Sequence, residues 1–311
     1  MPGRRGYPDV GQPNGWGRIM TPEFDALLED FGAFVEETVG LSFPLARRND
    51  LMRAVVDMAQ QERFERAEDC MRAMMTSAGN QLTAQTLGRY LSTGETYFFR
   101  DAGTFSVLKS EIFPRLIAAR RESGRKTLRI LSAGCCSGEE AYSLSILAHE
   151  LLGMERWDLR VAGIDINPAF LQSARTGVYG EWSFRGVPAY LKLRHFEHRG
   201  DGSYAVTAEG RRDVDFRFMN LAVDDYGALD DLAPFDLVLC QNVLMYFGAE
   251  PWRHVAAKIH GLLDEDGWLC VGPVESDRSL YPQYRPVELG GLTFYSKGEA
   301  PVPGPALPYS A

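Results

Sequence analysis

Residues Leu131 to Ser143 read LSAGCCSGEEAYS, directly behind the apolar run that starts at Leu128. An apolar run that stops at a glycine loop and resumes as a helical pattern is a strand-to-helix turn of an α/β unit. Three chemistries compete for the loop. It is a metal or redox site on Cys135 and Cys136, a phosphate cradle, or bare backbone against which a neutral or cationic cofactor lies. Adjacent cysteines point differently and do not chelate together easily. The histidines (His149, His195, His198, His254 and His260) are scattered, and no Cys-x-x-Cys is present, so no metal is expected. Gly134 and Gly138 fit neither the dinucleotide spacing G-x-G-x-x-G nor the phosphate loop with its terminal Lys-Ser/Thr, and Glu139 and Glu140 would repel a pyrophosphate. The two acids are either partners of the helix dipole or, for Glu140, a carboxylate facing a ligand cation.

Working outward, LRVAGID is a second strand ending on Asp165. RDVDFRFMNL is a third, ending at Asn220, FDLVLCQN a fourth, ending at Gln241 and Asn242, and WLCVG a fifth. The runs EEAYSLSILAHELLG and PWRHVAAKIHGLL between them are helical. Strands alternating with helices imply right-handed crossovers and an α/β fold with a doubly wound, mostly parallel sheet over residues 127–298. YRPVELGGLTFYSK, Tyr284 to Lys297, reads as a hairpin closing the sheet edge. The segment 179–212 carries the turn signal RGDGSY and is either an inserted β-subdomain or an irregular loop.

Ligands of such sheets lie beyond the carboxyl ends of the strands. Asp165 there either accepts the hydroxyls of a ribose or caps the helix that starts near Pro168. Asn220 and the pair Gln241–Asn242 suit an adenine edge and an amino-acid moiety. Together with the glycine loop they form a row that fits S-adenosylmethionine, which carries a nucleoside and a sulfonium but no phosphate.

The rest of the chain bounds the class. Its 311 residues allow two domains, and a net charge of −9 argues against general nucleic-acid binding. No apolar run approaches the roughly 20 residues of a membrane span. Five cysteines, few and odd in number, read as reduced thiols of a cytoplasmic protein. Residues 1–20 are Gly/Pro-rich and expected to be disordered, and 299–311 form a Pro-rich tail. TPEFDALLEDFGAFVEETVG, with Thr21 as cap and Gly40 as exit, opens an all-helical unit over 21–91. Within it, Arg47, Arg48 and Arg53 form a basic patch, either a solvated helix face or a docking surface for an acidic partner. Residues 92–126 read as a linker.

GETYFFRD (Gly94–Asp101), LSAGCCSGEEAYS, GIDIN and FDLVLCQNVLMYF (Phe235–Phe247) resemble the bacterial chemotaxis receptor methyltransferases, the CheR family, and the order is shared from about Phe31 to Lys297. The resemblance implies a class I methyltransferase domain that uses S-adenosylmethionine, leaving S-adenosylhomocysteine, to esterify glutamates in an acidic helical region of a membrane chemoreceptor. The membrane would be touched only through that receptor. Position by position it implies cofactor contacts from Thr96, Arg100, Glu140, Asp165, Asn220, Leu221 and Asn242, with Gly134 and Gln241 in the same row, which makes 92–126 a cofactor-contacting segment as well as a linker. Arg100 and Tyr246 would lie nearest the transferred methyl. The excursion around Gly200–Gly202 stands where some members bind a receptor's C-terminal peptide. Three places depart from the pattern: Gly94 where the family often has asparagine, Gln241 where it usually has arginine, and Pro273–Val274 where it has His-Ser. Two rivals stay open, a small-molecule methyltransferase of the same fold and a non-catalytic S-adenosylmethionine-binding scaffold.

Overall fold

The computed structural model describes residues 21–298, so the expected disordered start and Pro-rich tail lie outside the described residues. Helix α1 (Pro22–Val39) opens where the Thr21 hydroxyl accepts from the Phe24 amide at 3.2 Å, and it closes on Gly40 in the left-handed region. Its apolar stripe, Phe24, Leu28, Phe31, Val35 and Val39, is fully buried. It packs against α2 (Arg48–Gln61), α3 (Ala67–Thr76) and α4 (Gln81–Leu91) around Val55, Met58, Met71 and Leu87.

The stretch read as a linker is largely helical. Helix α5 (Ala102–Val107) passes through one π turn (Leu108–Ile112) into α6 (Phe113–Glu122). Pro114 obscures the helical period in the sequence; it stands directly after the π turn, inside a continuous helical run. Phe105, Leu108, Ile112, Phe113 and Leu116 bury themselves on one face of the main sheet.

That sheet has seven strands in the order β6-β2-β1-β7-β8-β10-β9. β1 (Thr127–Ala133), β2 (Asp158–Asp165), β6 (Val214–Phe218), β7 (Phe235–Cys240) and β8 (Leu263–Val271) run parallel, with α7 (Glu139–Leu152) and α11 (Ala249–Leu262) among the crossovers. The expected hairpin, β9 (Arg285–Leu289) and β10 (Leu292–Ser296), adds antiparallel at the β8 edge. β1 lies between β2 and β7, with Ile130 paired to Val161 on one side and Leu237 on the other. The chain therefore leaves β1 in one direction and later returns on its other side, which opens a crevice at the carboxyl end of β1.

The excursion is a small antiparallel sheet rather than a loop. β4 (Phe196–His198) and β5 (Tyr204–Val206) flank the Gly200–Gly202 turn, and β3 (Val178–Tyr179) pairs on the far side of β5. α8 (Pro168–Thr176) precedes it, and α9 (Ala189–His195) and α10 (Ala208–Arg212) lie within and after it. Phe98 fastens this subdomain to the catalytic layer. Its ring stands within 5.0 Å of the rings of Tyr179, Phe184 and Phe196, and its amide donates to Ser183 O at 2.9 Å. Phe98→Ala, which empties the centre of that cluster, should cost about 3–5 kcal/mol of unfolding free energy in denaturant melts. A loss under about 1 kcal/mol would mean that the aromatic cluster is not what holds the subdomain.

Candidate active site

The loop after β1 divides its residues between the core and the crevice. Gly134 (φ 81°) and Gly138 (φ 94°) occupy the left-handed region, and a Cβ on Gly134 would collide with Val243. Cys135 turns into the core, 1% exposed, and its burial pushes the thiol well up, away from the thiolate a metal needs. Cys136 lends its amide to Asp165 Oδ2 at 2.8 Å. The two glutamates divide. Glu139, buried, accepts from the Ser137 hydroxyl at 2.7 Å and the Ser183 hydroxyl at 3.0 Å, tying the loop to the β-subdomain. Glu140 opens on the crevice, with Oε1 accepting from the Ser132 hydroxyl at 2.7 Å.

The crevice is a cleft of about 980 Å³, partly open to solvent. Thr96, Arg100, Gly134, Glu140, Asp165, Asn220, Leu221, Gln241, Asn242 and Tyr246 all line it. Its titratable lining is three carboxyl groups (Glu95, Glu140, Asp165), Tyr246, Cys136 and one cation, Arg100, whose guanidinium donates to the Glu95 carbonyl. That balance suits a cationic ligand and disfavours a pyrophosphate. Asp165 holds two backbone donors, Cys136 N and Asn167 N, one per oxygen and each at 2.8 Å. A lone pair on each oxygen stays available to a ribose. The helix after it is capped by Asn167, which accepts from Ala169 N at 2.9 Å, so Asp165 is released from capping.

Two of the amides also brace the cleft wall that they line. Asn220 donates to Thr38 O at 2.8 Å and accepts from Ala222 N at 3.1 Å, and Gln241 donates to Thr104 Oγ1 and Val271 O, both at 3.3 Å. Their side-chain N–H groups tie the cleft wall to its neighbours. Asn242 sits at φ 59°, a left-handed conformation uncommon for residues other than glycine, and its side chain donates to Asp101 Oδ2 at 3.3 Å. Glu275 enforces that turn. Fully buried, it accepts from the amides of Asn242 (2.7 Å), Val243 (2.7 Å), Met245 (3.1 Å) and Gly272 (2.8 Å).

The basic patch does not stand free as a unit. Arg48 pairs with Asp25 at 2.8 Å, while Arg53 is 71% exposed with only a loose contact to Asp50 at 3.9 Å. Arg47, just before α2, contacts Asp50 at 3.7 Å and stacks over the rings of Phe43 (4.7 Å) and the cleft-lining Tyr246 (5.0 Å). Sequence reasoning missed the wall from the first helical unit, namely Val39, Leu41 and Leu91. These residues reach the cleft through the bridge Leu41–Phe247 and the bond from Ser42 N to Tyr246 O at 2.8 Å, and no local signal announces contacts over such separations.

Burial, opposed by the Ser132 hydroxyl, lifts the Glu140 carboxyl to about 7. Because this folded value lies above the unfolded one, the associated stability of the ligand-free protein is present at low pH and lost as pH rises through about 7. A sulfonium ligand favours the ionised form, so its affinity should rise with pH over the same window. Calorimetric titrations at stepped pH should show that rise in the parent and a flat profile in Glu140→Gln. An equal slope in both would remove Glu140 from the ligand's surroundings.

Comparison with known proteins agrees with this geometry. The family described as "CheR methyltransferase, SAM binding domain" matches residues 94–287. "Chemotaxis protein methyltransferase 1" of Pseudomonas aeruginosa is 32% identical over 279 residues, covering 88% of this chain and 98% of the relative. "Chemotaxis protein methyltransferase Cher2" of Pseudomonas putida is 29% identical, covering 86% and 97%. A third relative, the "Probable biofilm formation methyltransferase WspC" of Pseudomonas aeruginosa, is 34% identical over 72% of this chain and 51% of its own length. S-adenosylmethionine is thus the cofactor, and the chain belongs to the CheR methyltransferase family.

Proposed function

We propose that this enzyme methylates glutamate side-chain carboxylates of a chemoreceptor-like signalling protein, in the cytoplasm, and forms glutamate methyl esters. The observation that carries the reading is the charge balance of the cleft, three carboxyl groups against one arginine, at the carboxyl ends of β1 and β2. When bound, S-adenosylmethionine supplies an electrophilic methyl on a sulfonium. The acceptor carboxylate is already ionised at neutral pH, with a reference pKa of about 4.3, so the chain need supply no general base. The methyl would pass to the acceptor oxygen, with the electrons of the S–CH3 bond staying on sulfur. The work left to the protein is positioning and exclusion of water. Asp165 holds the ribose and Glu140 offsets the cationic end. Arg100, on the cleft wall, orients the incoming carboxylate, and Tyr246, pinned through its carbonyl and covered by Arg47, closes the mouth.

The substrate reading draws on the helical unit over 21–91, which forms one wall of the cleft and sets Arg47 at its entrance beside the exposed Arg53. A helix rich in glutamates has the complementary charge. Residues 92–126 then connect this unit to a catalytic domain over 127–298, with 179–212 inserted in it.

Label from methyl-labelled S-adenosylmethionine should enter the membrane fraction of the source cell and leave as methanol in mild alkali, the behaviour of a carboxyl ester. Alkali-stable label would move the reaction to a nitrogen or ether oxygen. Label confined to small molecules would favour a small-molecule methyltransferase, and no label with cofactor still bound would favour a scaffold. Arg53→Glu should lower protein methylation several-fold and leave S-adenosylhomocysteine affinity unchanged. Unchanged methylation would remove that arginine from substrate docking.

A further inference from the structure

Gly94 is a glycine without a backbone reason. It is absent from the positive-φ glycines and non-glycines alike, so any residue could adopt its conformation. Space is what forbids a side chain. A Cβ there would overlap Phe170 Cζ and stand 2.8 Å from Cε1. Phe170 itself is partly exposed, and the surface it keeps faces the cofactor cleft, which it lines beside Asp165, Ile166 and Thr93.

The ring is held there from its backbone. It stands in the first turn of α8, where the Asn167 side chain accepts from Ala169 N at 2.9 Å and Phe170 N at 3.3 Å. The same Asn167 donates to Ser92 Oγ at 3.0 Å, which locks the start of α8 to the segment that leads into Gly94. The strand end carrying Asp165, the helix start carrying Phe170 and the segment carrying Gly94 are therefore one braced corner.

We propose that Phe170 is a cofactor-contacting residue, an aromatic wall for the nucleoside of S-adenosylmethionine, and that Gly94 is the position that lets its ring stand there. The assignment rests on the cofactor reading of the cleft. Adenosine is the apolar, π-faced part of that cofactor, and Phe170 stands in the first turn of the helix that follows the strand-end acid placed for its ribose. An aromatic contact of this kind changes affinity by roughly five- to tenfold. A side chain at 94 would push on the tip of a rotatable ring and swing it from the wall without disturbing backbone.

The test is a double-mutant cycle read by calorimetric binding of S-adenosylhomocysteine and by melting of the ligand-free protein. Phe170→Val and Gly94→Ala should each weaken binding roughly five- to tenfold, and the pair together should weaken it no further than either alone. Phe170→Tyr, which keeps the ring, should bind like the parent. Ligand-free melting should fall for Gly94→Ala and recover when Phe170→Val is added. Parent-like binding by Phe170→Val would overturn the assignment and reduce the ring to packing. Full additivity in the double variant would break the link to Gly94. Loss of binding in the parent itself would overturn the cofactor reading rather than the role of Phe170.

Discussion

A single carboxylate organises the catalytic end of the sheet. Glu275 is fully buried after β8 and takes four backbone N–H groups, three of them from the turn Asn242–Met245 and one from Gly272. A buried acid costs a great deal unless its lone pairs are filled, and an amide turn left without an acceptor costs about as much as a lost hydrogen bond. Each therefore exists because of the other. The turn so fixed holds Asn242 left-handed, presents Tyr246 at the cleft mouth, and supplies the Val243 side chain that admits only glycine at position 134. The glycine loop after β1 is shaped partly by an acid more than a hundred residues downstream.

Charge is distributed in the site with the same economy. Adjacent Glu139 and Glu140 look equivalent in the sequence, yet the first is consumed by two serine hydroxyls and the second faces the ligand. Adjacent positions at a helix start point about 100° apart, so one can belong to the wall and the other to the cavity. Arg100 is the sole cation of the lining among the described residues, against the carboxyl groups of Glu95, Glu140 and Asp165.

Much of this was legible in the sequence because it is local. The alternation of strand runs with helical runs, the glycines at 134 and 138, Asp165 at a strand end and the Thr21 cap each follow from a few neighbouring residues. The RGDGSY turn marked the β4–β5 hairpin for the same reason, although β3 joined the other side of β5 without a signal. What escaped was non-local. α5 and α6 hid behind Pro114, Glu275 carried no mark of its four donors, and the amides of Asn220 and Gln241 proved engaged with Thr38 and Thr104, far away in the chain. The arginine patch showed its charges but not the partners, Asp25 and the aromatic pair Phe43–Tyr246, that divide it.

The cofactor cleft is walled by segments far apart in the chain, from Val39 to Phe247, stitched by Asn220 to Thr38, Ser42 to Tyr246 and Asn167 to Ser92. Occupancy of the cleft and docking of the first helical unit are consequently two sides of one equilibrium, because a ligand that requires the docked arrangement adds its binding free energy to the junction. The cofactor acts here as a clasp as well as a reagent.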